Sequence, residues 1–149
     1  MMRPIVHPTD FSPASGRAFA KAIALAKATR SELIVLHVLN PTLPVVTDRP
    51  ISPPTLETYR QAVRTWASGH LRRLVTRART AGVRARPILR EGAEAREIAR
   101  TARSRRAAMI VMGTHGRTGV AKFMLGSVAE RVLGLSACPV LTVRGRSAR

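Results

Sequence analysis

The chain predicts an α/β protein: an open parallel sheet of five strands with helices on both faces. Three observations carry this. Short apolar runs alternate with stretches of helical period along the whole length. The runs Leu33–Leu36 and Ala107–Met112 are apolar without alternation, as expected of strands covered on both faces. A glycine-rich loop opening at Gly113 lies between such a run and a helix start, which is where α/β proteins bind phosphate.

The elements follow in order. Pro4 to Thr9 reads as the first strand, and Asp10 ends it. Ser12 or Ser15 can cap the next helix, with Pro13 in its first turn. Ala18, Phe19, Ala22, Ile23 and Ala26 then recur at helical spacing to about Thr29. Glu32 to Leu39 is strand 2, with His37 as a satisfied core histidine. Asn40 to Pro54 carries five prolines and no helical period, so it reads as a loop. Thr55 to Ala81 is a long helix whose buried stripe runs through Tyr59, Val63, Trp66, Ala67, Leu71, Leu74, Val75 and Ala78, with Gly82 ending it. Val83 to Arg90 alternates and contains Pro87, which marks an edge strand. A helix from about Ala93 to Ser104 leads to strand 4. A last helix over Val128–Gly134, stopped by Gly134, leads to strand 5 at Val140–Val143.

At 149 residues the chain suits one domain over 1–149, with 144–149 as a frayed tail. The start shows no apolar leader region, and no run approaches a membrane span, so a cytoplasmic location is expected. A single cysteine, Cys138, excludes an internal disulfide and reads as a small buried residue. The formal charge of +18 suggests a polyanionic partner. The basic residues are spread along the chain, however, and aromatics make up only 3%. That favours a solvated surface with non-specific attraction for polyanions at low salt.

The loop after strand 4 carries the chemistry. Its glycines let backbone approach an anion, and the free N–H groups of the following helix point at it. Ser127 adds a hydroxyl, and Arg117 and Lys122 can add charge. Neither a Walker loop nor a G-x-G-x-x-G fingerprint is present. What stands is G-x2-G-x9-G-S: Gly113, Gly116, Gly126 and Ser127.

With that spacing, the opening Ile5–Ser12 and the close Cys138–Val143, the chain resembles the universal stress protein family, and its ATP-binding members in particular. The resemblance implies a Rossmann-like fold, akin to the adenine nucleotide alpha hydrolases, with sheet order 3-2-1-4-5. Strands 1 and 4 are then neighbours at the topological switch point, where open α/β sheets bind ligands. Asp10 and Gly113 would meet there. Matched residue by residue, Pro8, Thr9 and Asp10 hold the adenosine part, and the backbone at Val38 contacts adenine. Met112 and Gly113 lie beside the ribose, and His115, Gly116, Gly126, Ser127 and Val128 cradle the phosphates. The ligand implied is ATP with Mg or Mn. Related proteins dimerise through strand 5, so Val140–Val143 is expected to join two copies.

Each residue has a plainer reading. Asp10 can be a turn residue, Ser127 a helix cap, His115 an idle surface side chain, Gly119 mere flexibility, and Arg117 and Lys122 surface charges. Three functions follow: a nucleotide-binding regulatory module, which the residues favour; a slow ATPase or phosphoryl or nucleotidyl transferase, for which no general base stands out; and a charge-driven nucleic-acid-associated protein. Asp10→Ala and Gly126→Val are both expected to weaken ATP binding with the fold intact.

Overall fold

The computed structural model describes residues 2–41, 51–115 and 125–145. Five strands, β1 (Ile5–Pro8), β2 (Leu33–Leu39), β3 (Ala85–Glu91), β4 (Met109–Gly113) and β5 (Val140–Val143), form one sheet in the order β3-β2-β1-β4-β5. All pairings are parallel. Four helices connect them: α1 (Pro13–Thr29), α2 (Pro53–Thr80), α3 (Glu94–Ser104) and α4 (Ser127–Leu135). The expected architecture and strand order are therefore those observed.

Alternation along each strand divides the core in two. Ile5, Leu33, Val35 and Val111 pack under α1 and α2 with Phe19, Leu71 and Val75. Val6, Ile34, Leu36 and Ile110 pack under α3 and α4 with Ile98 and Val132. Each such side chain contributes about 1.5–3 kcal/mol on burial. Two buried faces explain why β2 reads as continuous apolar sequence. Pro87 falls in β3, the edge strand, where its missing N–H costs no central ladder bond.

Several boundaries and burials differ from expectation. Helix α2 starts at Pro53, so two of the loop prolines fill its first turn behind Ser52. Tyr59 and Trp66 are 45% and 43% exposed rather than buried, and no residue from Pro53 to Trp66 is buried. Trp66 stands about 100° round the helix from the fully buried Ala67, off the stripe that meets the sheet. For the turns before it the reason is length. A helix of 28 residues spans about 42 Å, beyond what strands of 4 to 7 residues can cover. Gly134 lies inside α4, which ends a residue later, before Ser136. Ser12 sits at the N-cap of α1 but makes no side-chain cap bond; the Ser15 hydroxyl donates to the Ser12 carbonyl at 2.8 Å instead. Cys138 is half-buried. Gly82 does end α2, at φ 86°.

Candidate functional site

The sheet opens at its carboxyl end between β1 and β4. β1 pairs β2 through four residues, from Ile5–Leu33 to Pro8–Leu36. It pairs β4 only at Ile5–Met109 and Val6–Ile110. Beyond that point the two strands part, and a side chain replaces the ladder. The buried His7 holds its Nδ1 2.8 Å from the Val111 carbonyl. Since a carbonyl only accepts, Nδ1 carries the proton. Nε2 is buried with no hydrogen-bond partner among the described residues. Burial lowers the pKa from 6.5 to about 4, against smaller opposing effects of the Val111 bond and the Asp10 charge. The imidazole is therefore neutral at physiological pH.

The expected residues that the structure describes stand at the carboxyl ends of β1, β2 and β4 and at the start of α4. Pro8 closes β1, and Asp10 follows two residues later rather than ending the strand. The Asp10 carboxylate accepts the Ser12 N–H at 2.9 Å, so the plainer turn role is real. The buried Thr9 turns its hydroxyl inward, accepting the Phe11 N–H at 3.0 Å and lying 3.1 Å from Ser15 Oγ. On β2, Val38 lies past the last β1 pair while still beside β3. Its side chain shares one apolar cluster with Met112, and Val128 packs against that cluster.

Across the crevice, Gly113 ends β4, and the buried Thr114 N–H donates to the Val143 carbonyl at 3.0 Å. Gly126 is the N-cap of α4, with no side-chain cap over the first turn. Its N–H donates to the Thr114 carbonyl at 2.7 Å, and a Cβ at Gly126 would stand 2.7 Å from the same oxygen. The glycine is thus required by backbone contact as well as by any anion, which corrects the expectation that Gly126→Val spares the fold. Ser127 is the first residue of α4 and exposed, so it is not the cap. His115 is half-buried rather than solvent-exposed. Its Nδ1 lies 3.0 Å from Thr114 Oγ1, and its Nε2 is buried with no partner among the described residues. Gly116, Arg117, Gly119 and Lys122 lie outside the described residues, as do 42–50 of the proline-rich loop and 146–149 of the tail.

The sequence reading missed the device that shapes the Asp10 turn. Phe11 adopts φ 63°, a conformation that costs a non-glycine residue about 1–3 kcal/mol. Its ring packs 4.4 Å from His37, 5.1 Å from His70 and 5.3 Å from Trp66. The His37 imidazole, as expected, is satisfied: Nδ1 donates to the Thr9 carbonyl at 2.7 Å. Only the tertiary fold reveals this cluster, since its members come from three elements.

The universal stress protein family model matches residues 1–144. The chain belongs to that family. It is 35% identical over 146 residues to universal stress protein MJ0531 of Methanocaldococcus jannaschii, covering 97% of this chain and 83% of that one. The solved structure of MJ0577, from the same organism, superposes with a TM-score of 0.86 at 26% identity, covering 99% of each chain. A universal stress protein solved in complex with cAMP superposes with a TM-score of 0.68 at 25% identity, over 98% of this chain and all of that one. In this family member the Asp10 turn follows β1, and Gly126 starts α4 after β4, the strand beside β1.

Proposed function

We propose that this universal stress protein binds ATP in the β1–β4 crevice and acts as a nucleotide-sensing regulatory module in the stress response. One observation carries the reading. The uncapped start of α4 meets the end of β4 at Gly126, beside a buried His115 Nε2 that lacks a partner among the described residues. Backbone N–H groups at a helix start, with the positive end of the dipole, suit phosphate. Pro8, Thr9 and Asp10 would hold the adenosine part, with Asp10 accepting from the ribose. The Val38 backbone would meet adenine, and Met112 and Gly113 would border the sugar. His115, Gly116, Arg117, Gly126, Ser127 and Val128 would hold the phosphates. A Mg or Mn ion would ride on the phosphate oxygens; among the described residues no group of three or more ligand-type side chains assembles. The relative solved with cAMP supports an adenine nucleotide as the ligand class.

The test is mass spectrometry of nucleotide released when the purified protein is denatured, with calorimetric titration of Mg-ATP alongside. An adenine nucleotide near one per chain, or saturable binding at one site, is expected. No released nucleotide and no heat of binding would remove the proposal.

We further propose a homodimer formed through β5. Val140–Val143 is an outer strand paired on one side by β4, apolar and half-buried, and an open edge of this kind recruits a second strand. Sedimentation velocity at micromolar concentration should give the mass of two chains. A concentration-independent monomer would rule it out.

A further inference from the structure

We propose that the outward side of α2 is a binding surface for single-stranded nucleic acid. Between Arg60 and Arg90 the chain holds nine arginines and no acidic residue. In sequence this looks like part of an even spread. In the fold the run divides. Ala85 and Leu89 of β3 pack with α2, and Arg79 donates twice to the Ala85 carbonyl, at 2.9 and 3.1 Å. Ile88 packs in the opposite core, so Arg84, Arg86 and Arg90 lie on that other face of the sheet, and the remaining six arginines belong to α2. Glu91 and Glu32 neutralise Arg64 and Arg86, at 2.6 and 3.1 Å. On α2, Arg60, Arg72 and Arg73 are exposed and join no ion pair among the described residues.

The second feature is aromatic. The only tryptophan and the only tyrosine of the chain, Trp66 and Tyr59, are both exposed on this helix. Tyr59, Trp66 and Arg73 are spaced by seven residues, two helical turns, so they share one side at intervals of about 10 Å. Trp66 is held from behind, with its ring 4.4 Å from His70 and 5.3 Å from Phe11. A fixed aromatic plane among unpaired guanidinium groups is what stacks bases while the arginines follow the phosphates. Unstacked bases are needed for this, which selects a single strand over a duplex. A membrane surface fits less well: the apolar face of α2 is used on the sheet at Ala67, Leu71, Val75 and Ala78, leaving no stripe to insert.

Trp66 is its own reporter. Titrating the protein with a 20-nucleotide oligo-U in about 0.1 M salt should quench its fluorescence saturably. Reversing charge with R72E/R73E should weaken binding about tenfold, whereas R96E/R103E, the same charge change on exposed positions of α3, should change it less than about twofold. Trp66→Ala, followed by anisotropy of labelled oligo-U, should weaken binding several-fold. Equal losses from the two arginine pairs would overturn the proposal, leaving only whole-surface charge. So would polyphosphate of matched charge binding as tightly as oligo-U, or preferential binding to phosphatidylserine vesicles.

Discussion

Asp10→Ala is expected to weaken ATP binding by about 10- to 100-fold, the loss typical of hydrogen bonds to a charged group. The structure says what else the change does. Oδ1 of Asp10 accepts the Ser12 N–H, so alanine also removes a turn bond worth about 1 kcal/mol. Thermal unfolding should therefore fall by only a few degrees. Asp10→Asn separates the two effects, because its amide oxygen keeps the turn bond while the charge is lost. It should retain the melting temperature and still bind ATP more weakly. Gly126→Ala behaves differently. Its Cβ would stand 2.7 Å from the Thr114 carbonyl oxygen, so the loop must shift. Overpacking of this kind costs about 1–3 kcal/mol, and both stability and affinity should fall together. Titration calorimetry and thermal melts on the three variants test this. Wild-type affinity in Asp10→Ala would remove Asp10 from the site.

Acid destabilisation should trace largely to one buried side chain. Unfolded, His7 takes up its proton near pH 6.5; folded, near pH 4. Between those values the unfolded chain binds more protons, so stability falls as pH falls. The His7 contribution is present in full above pH 6.5 and is lost progressively toward pH 4, in total about 3 kcal/mol. His7→Leu removes the titrating group. It also leaves the Val111 carbonyl without its donor, at a cost of about 1–3 kcal/mol. The variant should therefore be less stable at neutral pH, yet lose less stability between pH 6.5 and 4. Urea unfolding at several pH values checks this; parallel pH curves for the two proteins would contradict it.

The two expectations concern one opening in the sheet, seen from its rim and its floor. His7 stands where the β1–β4 ladder stops, and Asp10 three residues on. A neutral imidazole holds the strands at that point without placing a charge in the core. A protonated one would not. Acid should thus loosen the same crevice whose turn carries Asp10.

Much of this was legible in the chain itself. Apolar runs, helical periods and the position of Pro87 determined an α/β sheet with β3 at an edge, because these depend on local spacing and on a missing N–H. The glycine spacing from Gly113 to Ser127, with the matching strands at both ends, pointed to the crevice and to its family. Tertiary structure alone decided the rest. Trp66 was expected in the apolar stripe of α2, yet it is exposed because it stands about 100° round the helix from the buried Ala67, outside the stripe of Ala67, Leu71, Val75 and Ala78 that meets the sheet. The αL backbone at Phe11 carries no local signal; three packed rings hold it there. Gly126 reads as a phosphate glycine, but its first constraint is the Thr114 carbonyl. The arginines of α2 and β3 look like one even spread in sequence, but the pleat of β3 turns Arg84, Arg86 and Arg90 to the face that α2 does not cover. Periodicity reports which way a residue faces along its own element. What it faces depends on where that element ends and what lies beside it, and that is settled only when the whole chain packs.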